Sequence, residues 1–369
     1  MLDRITIEGY KSIRKLTNFE LRPLNVLIGA NGAGKSNFLG FFRLLRDLVD
    51  ERLQIGLQTR EGGADGCLYL GPKITPRLCG RLVLGGHEYG IALEPTPDNR
   101  LVATEQRFEG LAYLGSVGGN ESLLKDLAST SRAAVSLYGA MSRFIVHHFQ
   151  DTSLLAGVRR QGPINHDEFL HEDAGNLAAL LHRIRSTHPA CYSNIRDVVR
   201  SAAPFFDDFK LRPVPTNPDL IQLEWLQTGT DYPFLAHQLS DGTLRFICLA
   251  TALLQPDAPP LMLFDEPELG LHPYALTLLA NLLSQAADDS RQIIVSTQSA
   301  QLLNEFSPED VVVAERASGQ SFFRRLDSAQ LSEWLAEYSL GELWQKNVLG
   351  DGPRPDGTRP VPDGEDYAS

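Results

Sequence analysis

The segment Gly29-Ala30-Asn31-Gly32-Ala33-Gly34-Lys35-Ser36 constrains this chain more than any other, because it lies between the apolar run Leu24 to Ile28 and the helical stretch Asn37 to Val49. A strand, a glycine-rich turn and a helix in that order fit the G-x-x-x-x-G-K-[ST] phosphate-loop pattern and call for an α/β architecture. Gly29, Gly32 and Gly34 allow a tight turn in which successive N–H groups and the helix N-terminus converge on one point, where phosphate oxygens are well held. Lys35 adds a mobile cation for β- and γ-phosphates, and Ser36 a hydroxyl for Mg²⁺. The expected nucleotide-contacting set is therefore Gly29, Ala30, Asn31, Gly32, Ala33, Gly34, Lys35, Ser36 and Asn37.

A distant segment completes such a site. Leu261-Met262-Leu263-Phe264-Asp265-Glu266-Pro267 is an apolar strand, introduced by Pro259-Pro260, that ends in two adjacent carboxylates. Asp265 is placed to hold Mg²⁺, directly or through water, and Glu266 to accept a proton from attacking water. A general base of this kind is worth ~10²–10⁴-fold in rate. A nucleoside triphosphate is thus the expected substrate and Mg²⁺ the expected cofactor, with Lys35 and Glu266 catalytic.

Leu239-Ser240-Asp241-Gly242-Thr243-Leu244-Arg245 lies upstream of Asp265 and opens the helical run Arg245 to Leu254, with Ser240 a good N-cap. On its own this is a capped helix with glycine in its first turn. In this order and spacing it resembles the signature motif of ABC-type ATPases, where two glycines usually follow the serine; Gly242 matches the second and Asp241 replaces the first. The resemblance implies that Ser240 and Gly242 contact the γ-phosphate held by another subunit, in a head-to-tail homodimer enclosing two ATP molecules.

The resemblance narrows with further motifs. Ile5-Thr6-Ile7-Glu8-Gly9-Tyr10-Lys11-Ser12-Ile13, the Asn25 to Asn37 and Leu239 to Arg245 segments, Phe264 to Pro273, Ser296-Thr297-Gln298-Ser299 and Trp334 to Trp344 are similar to the RecF-like, SMC-related predicted ATPases of bacteria, commonly labelled AAA family ATPases. The likeness covers nearly the whole chain except the last residues. It implies a P-loop NTPase of the ABC-ATPase head type: a mixed sheet core, an antiparallel β subdomain and a short helical insertion. Two positions depart from ordinary ABC ATPases. Gln298 stands where transport ATPases place a switch histidine contacting the γ-phosphate; its amide can donate a hydrogen bond but carries no charge. His272 stands where an aspartate usually crosses the dimer interface, and with Pro273 at N1 it reads equally well as a residue preceding a helix. The glutamine sensing the γ-phosphate belongs at a strand end, for which Arg143 to Thr152 has the right character. Gln150 is the candidate metal-side residue, with Asp151 the other option, whereas His147 and His148 point to opposite faces of a strand.

The expected organisation is an ATPase head over 1–350, divided into an N-terminal lobe (1–115), a helical insertion and lid (116–235) and a C-terminal lobe (236–350), followed by a disordered tail over 351–369 rich in glycine, proline and aspartate. Gly85-Gly86 suggests a hairpin, and Glu121 to Arg143 and Asn176 to Ser201 read as helices. No heptad pattern persists, which excludes a long coiled coil. The four cysteines lack C-x-x-C spacing, and no apolar stretch approaches membrane-spanning length, so a cytoplasmic enzyme with reduced thiols and no membrane partner is expected.

The net charge of −12 exerts no overall pull on nucleic acid. DNA binding would need a local basic surface, for which Arg159, Arg160, Arg183, Arg185, Arg196 and Arg200 are candidates, a solvated helix face being the other reading. The resemblance implies an ATPase engaging DNA in repair or recombination; the alternatives are a sensor or scaffold controlling a separate effector in anti-phage defence, and a transporter's nucleotide-binding subunit, disfavoured by Gln298.

Overall fold

The computed structural model describes residues 1–108, 111–113, 122–129 and 131–350; the tail over 351–369 lies outside them. A mixed sheet forms the centre, its strands ordered Gln320–Arg325, Val311–Ala317, Leu24–Ile28, Gln292–Thr297, Leu261–Asp265 and Phe144–His147. All neighbours are parallel except the hairpin that adds Gln320–Arg325 at one edge. Leu24–Ile28 and Phe144–His147 are buried at every position, as suits parallel strands covered on both faces.

The register positions the site. Ile28 pairs with Thr297, Ser296 with Asp265, and Phe264 with His147. The strands therefore end level, and the residues that follow each of them emerge at one edge, where ligands of open α/β sheets bind.

An antiparallel sheet lies alongside, ordered Ile13–Glu20, Leu2–Tyr10, Leu78–Leu84, His87–Pro95, Leu101–Phe108 and Leu111–Tyr113. Gly85 and Gly86 make the expected hairpin turn, with φ of 56° and 82°. The helix Lys35–Val49 packs between the sheets through Phe38, Phe41, Phe42 and Leu45, and Phe42 meets Phe144 edge-on at 6.0 Å. The buried amide of Gln292 joins the two sheets: its Nε2 donates to Leu2 O and Arg22 O, and its Oε1 accepts from Leu2 N.

Between Phe144–His147 and the signature segment the chain is less helical than expected. The helices Leu177–Thr187 and Pro189–Ala202 are present, separated at His188 because Pro189 restarts the second at N1. Two small antiparallel sheets accompany them, Phe206–Phe209 with Glu224–Gln227 and Pro233–Leu235, and Gly162–Pro163 with Asn217–Ile221 and Pro213–Val214. The expected Glu121 to Arg143 helix is two pieces, Leu124–Leu127 and Arg132–Met141. Among the described residues the longest helix, Lys35–Val49, has 15 residues, so no long coiled coil is present, and no helix is long and apolar enough to cross a membrane.

Candidate nucleotide site

The phosphate loop follows Leu24–Ile28 directly and turns through Gly32 and Gly34, with φ of 78° and 107°. Gly34 has no room for a side chain: a Cβ would run into the Ser321 and Ser12 hydroxyls. Those hydroxyls bond each other at 2.7 Å, and Asn37 Nδ2 donates to Ser12 Oγ at 2.7 Å. Ser12 belongs to the N-terminal motif, which had no evident chemical task in the sequence; here it ties that motif, the phosphate-loop helix and the C-terminal hairpin together. Arg316 of the same hairpin donates to Gly32 O at 3.1 Å.

Lys35 is 6% exposed, and its Nζ donates to Gly29 O at 2.6 Å and Ala30 O at 3.3 Å, so the ammonium sits within the curl of its own loop. Burial lowers its pKa, opposed by the charges of Glu266, Asp265 and Glu268. Those three carboxylates and the lysine thus share one electrostatic environment.

Ser36 Oγ lies 3.3 Å from Asp265 Oδ1, to which it donates, and the Ser296 hydroxyl also donates to Asp265 Oδ1. A hydroxyl and a carboxylate brought together beside a phosphate loop form a hard-oxygen donor set of the kind Mg²⁺ takes, usually alongside waters and substrate phosphates. The residues present fit that ion.

Glu266 follows at φ 48°, a left-handed conformation uncommon for a residue with a side chain, held by its N–H bonding to Ser296 O at 2.9 Å. Its Oε1 accepts a hydrogen bond from Gln298 Nε2. The structure therefore brings Lys35, Ser36, Asp265, Glu266 and Gln298 together from three segments of chain.

The strand end beyond His147 divides in two directions. Gln150 lines a small cavity with Asp265, Glu266 and Arg245, whereas Asp151 is exposed and its Oδ1 accepts from Ser153 N. His148 lines a larger cavity of about 240 Å³ with Ser36, Asn37, Arg43 and Asp265. The sequence gives His148 no role beyond facing away from His147; its position just past a strand paired with Leu261–Asp265 is the signal for a place at this cavity. His147 is fully enclosed between Phe264 and Phe149, and burial lowers its pKa to about 3. The two histidines do point apart.

Ser240 N-caps the helix Asp241–Leu254, accepting from Thr243 N at 3.2 Å. Gly242 faces the loop after Glu266 so closely that a Cβ would collide with Gly270 O. Arg245, 8% exposed, joins three elements: Nε donates to Phe149 O, Nη2 to Gln150 O and Nη1 to Leu269 O. Asp241, in place of the first signature glycine, is paired at 2.7 Å with Arg159, whose side chain is 5% exposed and also donates to Thr152 O and Ala236 O. His272 caps the helix Pro273–Ala286, its Nδ1 accepting from Tyr274 N at 3.3 Å. That is the helix-preceding arrangement of the two readings.

The arginines of the insertion are engaged. Arg183 donates to Asp167 O and Glu168 O, Arg185 to Leu211 O, Arg196 pairs with Asp197, and Arg200 pairs with Asp207. Arg160 is exposed.

Comparisons with known proteins agree with this fold. Over 90% of this chain and 99% of the other, the fold matches a structure titled "Crystal structure of the SmcHead bound to the C-winged helix domain of ScpA", with a TM-score of 0.62 at 16% identity. A second match, at a TM-score of 0.57 and 16% identity over 91% of this chain and 98% of the other, is the "Smc head domain with an extended coiled coil bound to the C-terminal domain of ScpA derived from Pyrococcus furiosus". In sequence, 79 residues are 33% identical to a "Putative ABC transporter ATP-binding protein" of Methanosarcina acetivorans, 21% of this chain and 28% of that relative. The chain thus spans under a third of that relative's length. The family described as "AAA domain, putative AbiEii toxin, Type IV TA system" matches residues 24–67 and 80–304, which include the phosphate loop, the signature segment, Asp265, Glu266 and Gln298. The chain therefore belongs to that AAA-domain family and is an ABC/AAA-type ATPase with the SMC head fold.

Proposed function

We propose that this protein binds and hydrolyses ATP as a head-to-tail homodimer and uses the nucleotide state to control what it engages. The observation that carries the reading is the convergence of Lys35, Ser36, Asp265, Glu266 and Gln298 on the edge where the parallel strands end. Gly29 to Asn37 wrap the phosphates with backbone N–H groups, and Lys35 leaves its loop carbonyls for the β- and γ-phosphates. Ser36 and Asp265 would hold Mg²⁺, with Gln150 at the same end of the sheet. When bound, the ion neutralises charge on the phosphates as the γ-phosphoryl group departs. Glu266 orients the attacking water and takes its proton, and Gln298 holds Glu266 through its amide. Ser240 and Gly242 of one copy close over the γ-phosphate of the other, with the positive end of the Asp241–Leu254 helix directed at it.

Two readings follow for what the dimer engages. The first, inherited from the RecF and SMC resemblance, is DNA in repair or recombination. The second, a cytoplasmic sensor or scaffold that gates a separate effector in anti-phage defence, is favoured by one observation: of the candidate arginines all but the exposed Arg160 are bound to carboxylates or backbone carbonyls, which leaves little of the basic surface that DNA would need. The family description, with its toxin and type IV system, points the same way. A transporter subunit has support only in the short match to one relative.

Steady-state ATPase activity measured with and without single-stranded, gapped and linear duplex DNA separates them. Indifference to all DNA supports the effector reading. Strong stimulation by one form supports DNA engagement and overturns the preference stated here.

A further inference from the structure

The loop after Glu266 carries another carboxylate, Glu268, to which the phosphate, metal and base assignments give no task. Its Oε1 accepts two hydrogen bonds, from Thr297 Oγ1 at 2.6 Å and from Gln298 N at 3.0 Å. Its Oε2 is buried without a hydrogen-bond partner. Burial raises the pKa of this group, the two donated hydrogen bonds oppose the rise, and the charge of Glu266 adds to it. Keeping such a carboxylate half-buried is costly, so its contacts need a reason.

The contacts lie at one place. Thr297 ends the strand Gln292–Thr297, and its Oγ1 in turn accepts from Ser299 N at 3.0 Å; Ser299 caps the helix Ala300–Leu303. Gln298 sits between these fixed points, with its backbone N–H on Glu268 and its side-chain amide on Glu266. One glutamine therefore links two carboxylates of the same loop, one through its main chain and the other through its side chain.

Building on the reading of Glu266 as general base, we infer that Glu268 is a positioning residue, which fixes the backbone of Gln298 so that its amide holds one oxygen of Glu266 and leaves the other directed at water. Glu268 acts on the base only through Gln298. Its acceptor oxygen is what matters: a glutamine at 268 offers a carbonyl oxygen in the same place, whereas alanine offers nothing.

The test is a kinetic cycle on the full chain with Glu268→Ala, Glu268→Gln, Gln298→Ala and the double variant Glu268→Ala/Gln298→Ala. Glu268→Ala is expected to lower kcat by about tenfold or more with KM for ATP within about twofold, and Glu268→Gln to restore kcat to within about threefold of the parent. On the Gln298→Ala background, Glu268→Ala should change kcat by less than about twofold, because its only route of action has gone. Losses that multiply, a KM that rises in step with the fall in kcat, or a glutamine variant as damaged as the alanine one would overturn the inference. Hydrogen exchange of peptides covering 296–303 gives a readout independent of turnover: faster exchange in Glu268→Ala and parent-like exchange in Glu268→Gln support the contact, and unchanged exchange in Glu268→Ala refutes it. A parent protein without turnover would remove the reading of Glu266 as base, while the exchange result would still decide whether Glu268 holds Gln298.

Discussion

Acid should destabilise this protein through one residue that takes no part in hydrolysis. His147 is 1% exposed and stacks on Phe264 with ring centroids 5.1 Å apart and an interplanar angle of 22°, with Phe149 on another side at 5.0 Å. Burial is the main cause of its lowered pKa, about 3 against an ordinary 6.5; nearby Arg46 lowers it further, and a backbone contact with His171 opposes. Because the folded pKa lies below the unfolded one, the unfolded chain takes up a proton below pH 6.5 that the folded chain refuses. Stability contributed by the neutral ring is complete above that pH and falls as pH drops toward 3, by ~1.4 kcal/mol per unit. Between pH 6.5 and 5.0 the loss is therefore about 2 kcal/mol. Urea denaturation at pH 7.5 and pH 5.0 for the parent and for His147→Phe, which keeps a ring in the stack, isolates this residue from the carboxylates titrating alongside it. The variant should lose about 2 kcal/mol less than the parent over that interval. Equal losses in the two proteins would refute the argument, since the ring would then be accepting its proton while folded.

Three further outcomes are expected. In the proposed ATP-bound dimer, Arg159→Ala would leave Asp241 uncompensated beside the partner's triphosphate and should reduce ATP-dependent dimerisation, read by light scattering on the Glu266→Gln background; adding Asp241→Gly should restore it, and failure to restore would reduce Arg159 to a packing role. Gly242→Ala should lower stability although alanine is the better helix former by ~1 kcal/mol, because its Cβ meets Gly270 O; a higher melting temperature would mean that the loop moves aside. Ser240→Arg should block the dimer with monomer nucleotide affinity nearly intact, and a dimer of unchanged stability would argue against the sandwich arrangement.

Much of the site was legible because its motifs are local. A glycine loop between an apolar run and a helix, and two carboxylates ending a strand, declare themselves within a few residues of chain. What escaped depends on partners far away in sequence. At Gly34 the loop's own φ of 107° already disfavours a side chain, and Ser321 and Ser12, distant in sequence, fill the space one would need. Asp241 looked like a departure from a glycine pattern, and only the structure shows Arg159 answering its charge. His148 is weighed in the sequence only against pairing with His147, and the cavity it lines with Ser36 and Asp265 becomes visible only once the strands that form it are assembled. The arginines of the insertion have spacing that suggests a shared face, but spacing says nothing about carbonyls such as Leu211 O that occupy them. One strand of the small sheets is legible, since the run Gln222 to Leu226 reads as a strand and Glu224–Gln227 is one; Asn217-Pro218-Asp219 is not, because its poor strand propensity is overridden by pairing with neighbouring segments.

The central claim is that the residues gathered at the sheet edge hydrolyse ATP, with Glu266 as base. The direct test is to measure ATP binding and single-turnover hydrolysis for the parent, Glu266→Gln and Lys35→Ala. The account predicts turnover in the parent, retained binding with a loss of ~10²-fold or more in Glu266→Gln, and loss of binding in Lys35→Ala. Undiminished turnover in Glu266→Gln, or a parent that does not bind ATP, would contradict it.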